Sequence, residues 1–194
     1  MHRFFAEPGQ IGEKEIVITG ADVNHIRNVL RMREGEELWI SAGGEKEYYC
    51  SIQSLSPEQI ELKIYYISRP DYELPTRLYL FQGIPKGDKM DLIVQKAVEL
   101  GAYSIIPVEM KRCVVRLDAK KAQKKQQRWH QIAEGGAKQS RRMIVPKVEP
   151  VMSFKEALDF AWQMDLCLIP YENAKGMDET RQILSQVKPG MSVG

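Results

Sequence analysis

The sequence predicts an α/β protein in which a small N-terminal β-barrel is followed by a parallel α/β domain. Short alternating apolar segments dominate residues 1–67, as in strands with one buried face. Residues 68–76 contain two prolines and little periodicity, which is typical of a linker. After it, strand-like and helix-like segments alternate, the order found in parallel sheets. We therefore expect domains at residues 1–70 and 76–194.

The N-terminal strands are predicted from period-two alternation. The alternating apolar positions are Leu38, Ile40, Tyr48, Cys50, Ile52, Ile60, Leu62, Ile64 and Tyr66. A short helix beginning at Asp22 precedes them and leaves Arg27 and Arg31 away from its apolar stripe. That stripe is Ile26, Val29 and Leu30. Several short strands with one helix, within such a short segment, favour a small barrel.

The stretch from residue 78 to residue 108 predicts a strand, a crossover helix and a second strand. Pro85 and Gly87 end the first strand, Asp88 is placed to cap the helix, and Gly101 ends it. Lys86 and Lys89 flank this helix start, at the carboxyl end of a strand, where α/β proteins bind anions. A solvated turn with two surface lysines is the alternative interpretation.

The remaining chain continues the alternation. A basic helix at about 120–138 carries Trp129 inward, and a short strand is predicted at 145–148. Ser153 and Glu156 have the spacing of a capping box, followed by an apolar stripe. The stripe is Phe154, Ala157, Leu158, Ala161 and Trp162. A buried strand is expected at 166–169, a helix at about 178–187, and a strand beginning at Met191.

Composition narrows the class of protein. The chain is 43% hydrophobic and 28% charged, and no apolar run approaches the roughly 20 residues that span a bilayer. The N-terminus lacks the apolar stretch of a signal peptide. Three distant cysteines and three scattered histidines predict neither disulfides nor a metal centre. We expect a cytoplasmic protein with no membrane partner.

The charge is distributed unevenly along the chain. The segment 107–149 contains twelve Lys or Arg and four Asp or Glu residues, a net charge of +8, which leaves −6 for the rest. This asymmetry indicates a polyanionic partner. Lys120 to Lys125 would also suit a merely solvated helix face, whereas Arg112, Arg141 and Arg142 stand at the edges of predicted elements.

Three groups of residues together resemble a known family over essentially the whole chain. They are Arg3-Phe4-Phe5 with His25-Ile26-Arg27-Asn28-Val29-Leu30-Arg31; Lys86-Gly87-Asp88-Lys89-Met90-Asp91 running to Gln95-Lys96-Ala97-Val98-Glu99-Leu100-Gly101; and Ile106-Pro107, Arg112-Cys113, Lys138-Gln139-Ser140-Arg141-Arg142 and Val145-Pro146. The chain resembles the bacterial 16S ribosomal RNA uracil-N3 methyltransferases of the SPOUT, or trefoil-knot, superfamily.

The resemblance implies an RNA-binding PUA-like barrel followed by a SPOUT methyltransferase domain. It implies a homodimer that uses S-adenosylmethionine without metal and methylates N3 of one uridine in the small ribosomal subunit. Its cofactor-side residues would be Pro170, Tyr171 and Glu172. The implied RNA-binding residues are Arg3, Arg27, Arg31, Lys86, Lys89, Arg112, Gln139, Arg141 and Arg142. The family pattern Ala-x-Glu-Gln-Ser is replaced here by Gly136-Ala137-Lys138-Gln139-Ser140, so Gln139 and Arg142 match while their neighbours differ.

The end of the sequence departs further from the family pattern. That pattern places a Gly-Pro-Glu-Gly-Gly loop on the strand near Met191, and later a second loop rich in glycine and leucine. Neither is present in these 194 residues. We therefore expect a truncated form, with a less stable C-terminal domain and no methyl transfer by this chain alone.

The chemistry constrains which residues could act. Uracil N3 carries a proton at neutral pH, so a catalyst must favour the anion that forms as the proton leaves. Guanidinium groups can do so, and Arg3, Arg112 and Arg142 are the catalytic candidates, with Arg141 beside them. For each of them, a phosphate contact or an ion pair is the alternative role.

Three functions remain open from the sequence. The first is the methyltransferase. The second is a ribosomal RNA-binding module without activity in this form. The third is an unrelated phosphate-binding α/β protein that uses Lys86 and Lys89. Binding of S-adenosylmethionine separates the first from the second, and binding of free nucleotide without RNA would favour the third.

Overall fold

The computed structural model describes residues 1–113, 116–170 and 178–194. They divide into two compact units, Met1–Glu73 with Ala137–Val145 and Leu74–Gly136 with Pro146–Gly194. The membership of Ala137–Val145 in the first unit is not indicated by the sequence pattern. The domain boundaries at 70 and 76 stay a prediction.

The first unit contains one mixed sheet of five strands. They are β1 (His2–Phe5), β2 (Glu15–Thr19), β3 (Glu37–Ser41), β4 (Glu47–Leu55) and β5 (Gln59–Ser68). The order is β1-β3-β4-β5-β2, with β1 parallel to β3 and the other pairs antiparallel. Leu38 and Ile40 are fully buried, so the alternating pattern marks the core face as predicted.

The short helix after β2 differs from the prediction. An α-helix α1 (Ala21–Asn24) continues as a π-helical turn (His25–Val29), in which the N–H of Leu30 bonds to the carbonyl of His25. Ile26 is buried as expected, but Val29 is 63% exposed. The wider turn displaces Val29 from the stripe that a 3.6-residue period predicts. Arg31 lies beyond the helix with φ 54°, so Arg27 and Arg31 do not share a regular helical turn.

The second unit contains one parallel sheet. Its strands are β6 (Arg77–Gly83), β7 (Ser104–Glu109), β8 (Lys147–Val148), β9 (Met152–Ser153) and β10 (Ser192–Val193). The order is β10-β6-β7-β8, and β9 also pairs with β7. The predicted crossover and the strand near Met191 are confirmed, because β6 pairs with β7 in parallel and Ser192 lies opposite Arg77.

Four helices follow β6 in the described parts of the chain. They are α2 (Lys89–Glu99), α3 (Ala119–Gln139), α4 (Phe154–Ala161) and α5 (Asp178–Leu184). Helix α2 buries Met90 and Val94, and α3 buries Trp129. Asp88 occupies the N-cap position of α2, but its side chain makes no capping hydrogen bond with any described residue. Its backbone carbonyl accepts the N–H of Asp91 instead.

Helix α4 confirms its predicted cap but not its predicted packing. Ser153 and Glu156 form the capping box, with Ser153 N 2.8 Å from Glu156 Oε2. Of the predicted stripe, Ala157 is buried, whereas Phe154 and Leu158 are exposed and Trp162 is 82% exposed. Helical spacing determines which side chains share a face, and it does not determine whether that face is covered.

Candidate functional site

An apolar groove of about 570 Å³ lies in the second unit. It is lined by residues from β6, the end of β7, α4, β10 and the segment 166–170. Gly83 ends β6, Met110 follows β7, and Gly194 follows β10, so the groove includes the carboxyl ends of three parallel strands. Ligands of open α/β sheets bind at this end of the strands. None of the described residues that line the groove is charged.

The segment 166–170 lies beside β10. Gly194 N donates to the carbonyl of Leu166 at 2.9 Å, and Leu168 N donates to the carbonyl of Gly194 at 2.8 Å. These bonds bring Leu168 and Pro170 to the groove. The segment is not the buried strand that its apolar sequence predicts, because it forms a single bridge and Ile169 is 84% exposed. Apolar composition alone could not distinguish a groove wall from a core strand.

Two glycines lie where the groove backbone approaches side chains closely. A Cβ on Gly194 would lie 2.7 Å from Met164 Sδ and 2.9 Å from Phe81 Cε2. A Cβ on Gly83 would lie 3.2 Å from Met110 Cγ. Both positions therefore limit substitution in the groove. Of the predicted cofactor-side residues, Pro170 lines the groove, while Tyr171 and Glu172 lie outside the described residues.

The predicted anion site before α2 is an exposed turn. Lys86 and Lys89 are exposed. Within α2, the Lys96 ammonium lies 2.6 Å from Glu99 Oε2, and Gln95 also donates to this carboxylate. These bonds lower the pKa of Glu99, so its carboxylate is held in an ion pair at the end of the helix.

The basic turn is defined here as residues 138–142. It includes the last two residues of α3, and all of it lies in the first unit. Lys138 Nζ is 2.9 Å from Asp22 Oδ1 and 5.3 Å from the Phe4 ring centroid. Gln139 is exposed. Arg141 is exposed and adopts a left-handed conformation with φ 59°. The turn therefore presents Gln139 and Arg141 to solvent, as an RNA contact requires.

Arg142 faces the other way and is 4% exposed. Its Nε lies 2.8 Å and its Nη2 2.6 Å from Glu73 Oε2. Glu73 Oε1 also accepts the backbone N–H of Met143 at 2.6 Å. The carboxylate thus binds both the side chain of Arg142 and the backbone of the residue that follows it. Ion pairing with Glu73 therefore already engages the Arg142 guanidinium.

Arg3, the other N-terminal candidate, is also an ion-paired side chain. It lies on β1 and contacts the buried carboxylate of Glu47. Burial lowers the pKa of Arg3, and the nearby charge of Arg141 lowers it further, against the opposite effect of Tyr72. Arg3 and Arg141 belong to the same unit, which sequence reasoning had no signal to predict.

The remaining RNA-binding candidates differ in exposure. Arg31 and Arg112 are exposed and Arg27 is half-buried.

Within the described parts of the chain, no group of three His, Cys, Asp or Glu side chains could hold a metal ion. None of the described helices is both long and apolar enough to cross a membrane.

Comparison with known proteins places this geometry in a family. Residues 72–193 match the model of an RNA methyltransferase domain, and residues 18–65 match that of an RNA methyltransferase PUA domain. The ribosomal RNA small subunit methyltransferase E of Bacillus subtilis is 39% identical over all of this chain and 78% of its own length. The chain belongs to the ribosomal RNA small subunit methyltransferase E family.

Solved structures agree with this membership. The enzyme of this family from Neisseria gonorrhoeae, crystallised with bound S-adenosyl methionine, is 32% identical with a TM-score of 0.79. The match covers 100% of this chain and 79% of that one. A crystal structure of a hypothetical protein matches 98% of this chain and 78% of its own, with 39% identity and a TM-score of 0.91. The resemblance and the fold that it implied, a PUA-like part followed by a methyltransferase domain, are confirmed.

Proposed function

We propose that this protein transfers a methyl group from S-adenosylmethionine to N3 of a uridine in 16S ribosomal RNA. The groove at the carboxyl ends of β6, β7 and β10 carries the proposal, because it lies within the matched methyltransferase domain. Its family relatives are named for methylation of small-subunit ribosomal RNA, and one is crystallised with the cofactor. An enzyme acting on ribosomal subunits would work in the cytoplasm.

The groove fits the cofactor by size and chemistry. Small-molecule sites of about 300–1,000 Å³ with mostly apolar walls are usual, and this groove has about 570 Å³. Leu168 and Pro170 would pack against the flat adenine ring, and strand-end backbone groups would bond its edge. When bound, the cofactor supplies an electrophilic methyl group on a sulfonium centre.

The chain's own cations would act on the RNA. Transfer of the N3 proton to solvent water leaves an anion shared by N3 and the two carbonyl oxygens of uracil, and a guanidinium stabilises it. Arg112 and Arg141 are exposed, whereas Arg3 and Arg142 contact Glu47 and Glu73. We propose that the exposed pair contacts RNA directly and that Arg3 and Arg142 hold the surrounding structure. Gln139, Arg27, Arg31, Lys86 and Lys89 stay proposed RNA contacts.

The homodimer is likewise a proposal. Phe154, Leu158 and Trp162 leave apolar surface exposed on and just beyond α4, and large exposed apolar patches often mark assembly surfaces. Sedimentation equilibrium over a range of concentrations tests it. A monomer at every concentration would contradict it.

Methyl transfer is tested with small ribosomal subunits and tritiated S-adenosylmethionine. Digestion of the product to nucleosides should give 3-methyluridine, and reverse transcription should stop at the modified base because N3 methylation blocks base pairing. Labelled 5-methyluridine or 2′-O-methyluridine would contradict the N3 assignment. Absence of label, with small subunits that a homologue can still methylate, would contradict the activity and favour the alternative of a ribosomal RNA-binding module without activity in this form.

Cofactor binding is tested separately by calorimetry. Leu168→Ala removes groove wall and should weaken S-adenosylmethionine binding roughly tenfold, from the loss of about 1.5 kcal/mol of apolar contact. Leu184→Ala on α5, which lies outside the groove lining, is the matched control and should bind normally. Equal affinities of the two variants would place the cofactor elsewhere.

A further inference from the structure

The first unit carries a row of aromatic side chains on the sheet face opposite its core. The backbone register aligns Arg3 with Trp39, Trp39 with Tyr49, and Tyr49 with Tyr66, across strands β1, β3, β4 and β5. Residues on either side of Trp39 and Tyr49, such as Leu38 and Cys50, point into the core. The aromatic row, Trp39, Tyr49 and Tyr66, therefore lies on the outer face.

The rings of the row contact one another. The Tyr49 and Tyr66 ring centroids are 4.9 Å apart with nearly parallel planes. The Trp39 centroid is 5.0 Å from that of Tyr49 and 5.7 Å from that of Tyr66, in tilted and edge-on arrangements. The Tyr49 hydroxyl donates to Glu37, and this bond raises the pKa of Tyr49 to about 12. The row is therefore ordered by its own contacts.

Internal packing of the sheet leaves this row partly uncovered, since Tyr66 is exposed and Trp39 and Tyr49 are half-buried. Cross-strand aromatic pairs stabilise a sheet by only about 0.2–1 kcal/mol each. A register shift in the β4–β5 pairing places Tyr65 beside Tyr66 outside the core, and the two are 53% and 52% exposed. Tyr72, also exposed, lies near Arg3. A contiguous aromatic surface of this kind marks an interaction site.

The guanidinium of Arg3 lies at one end of this aromatic surface. The Arg3 guanidinium carbon lies 6.0 Å from the ring centroids of both Trp39 and Tyr72. Glu47 neutralises Arg3, and Arg141 is an exposed cation of the same unit. Lys63 on β5 lies opposite Ser51 on β4, which lies opposite Glu37 on β3. Lys63 therefore adds an exposed cation on the outer face.

We propose that the aromatic row is a stacking platform for unpaired bases of single-stranded RNA, with the exposed cations Lys63 and Arg141 of the same unit contacting phosphates. Aromatic rings beside exposed cations suit single strands, because every base has a face that stacks and every nucleotide a phosphate. Paired bases in a duplex cannot offer their faces in this way. The inference rests on the proposed function in that ribosomal RNA is the expected source of the strand.

The test measures binding of a uridine oligoribonucleotide to the full chain. Tyr66→Ala should weaken binding roughly five- to hundredfold, the range for loss of one stacked base. Tyr66→Phe keeps the ring and should bind normally. Tyr103→Ala, an exposed tyrosine in the second unit, is the matched control and should also bind normally. The same RNA annealed to its complement should bind Tyr66→Ala and the unsubstituted protein equally.

Thermal unfolding of each variant shows whether it is folded. If Tyr66→Ala does not fold, Tyr65→Ala serves in its place, with Tyr65→Phe as its partner. Equal affinity of the alanine and phenylalanine variants for single-stranded RNA would overturn the platform, as would failure of the unsubstituted chain to bind it. Calorimetry with S-adenosylmethionine and methyl transfer are scored separately, so that loss of the proposed function is recognised independently of loss of the platform.

Discussion

The guanidinium of Arg142 and the carboxylate of Glu73 form a two-bonded ion pair, with Nε 2.8 Å and Nη2 2.6 Å from Oε2. The same carboxylate accepts the backbone N–H groups of Met143 and Ile144. The carboxylate therefore links the two segments of the first unit, Met1–Glu73 and Ala137–Val145.

Removing the charge of Glu73 should destabilise this junction. Glu73→Gln leaves a buried guanidinium facing an amide, at a cost of about 2–4 kcal/mol, less than for a fully buried pair because Glu73 is partly exposed. Urea unfolding measures the change. Glu34→Gln, on an exposed loop, is the control and should change stability by less than about 0.5 kcal/mol. Equal unfolding midpoints would show that the pair contributes nothing.

Substitution of Arg141 should separate stability from RNA binding. Arg141→Gly relieves the left-handed conformation and should stabilise the fold by about 1 kcal/mol. It should also lower the slope of log K against log salt by roughly 0.7, the value for one single-strand phosphate contact. Arg141→Ala should lose the same RNA contact without the gain in stability. An unchanged slope in both variants would remove Arg141 from the RNA interface.

The π-helical turn after α1, with Arg31 just beyond it, gives a second test of the RNA surface. The double variant Arg27→Ala/Arg31→Ala should lower the salt slope by roughly 0.7 for each lost phosphate contact. Lys14→Ala, an exposed cation elsewhere in the first unit, should not. Unchanged salt dependence in the double variant would exclude this side of the unit as a docking surface.

Asp165 should make the attachment of β10 sensitive to acid. Its Oδ2 accepts both the backbone N–H and the hydroxyl of Ser192 at 2.7 Å, and these bonds lower the pKa of Asp165. Because the folded-state pKa lies below the unfolded value of about 3.9, the stabilisation is present above that pH and is lost as pH falls through the folded value. When the pH is lowered from neutral to strongly acidic, the unfolding temperature of the Asp165→Asn variant should therefore fall less than that of the unsubstituted chain. Parallel pH curves would contradict this role.

The cysteines should differ in reactivity. Burial raises the pKa of Cys50 to about 12, so its thiol stays protonated at pH 8 and should resist iodoacetamide. Cys167 is exposed and should be alkylated first. Peptide mass spectrometry identifies the modified residue, and unfolding in urea should release Cys50 as an internal control. Early labelling of Cys50 in the folded chain would show that the core opens.

Much of the fold followed from local pattern. Alternation at Leu38 and Ile40 was enough to assign β3, and the Ser153–Glu156 spacing was enough to begin α4. These predictions succeeded because backbone hydrogen bonding and side-chain periodicity act over a few residues. The same holds for the family motifs, whose residues lie in short contiguous stretches.

The packing of those elements was decided by the tertiary structure. The apolar stripe at Trp162 and the run ending at Ile169 look like core in the sequence, yet both are exposed, because periodicity does not specify which neighbour covers a face. The widened turn that exposes Val29 likewise depends on a hydrogen-bond shift that residue type does not signal.

The sequence by itself determined the residue types of the candidate site: a run of arginines, an apolar strand end and scattered aromatic side chains. Only the tertiary structure decided their roles. Arg141 and Arg142 are adjacent in sequence, but one is exposed and the other is bound by Glu73, some seventy positions earlier. Trp39, Tyr49 and Tyr66 form one row only through strand register. Contacts between distant residues depend on how the whole chain packs, and no local pattern contains that information.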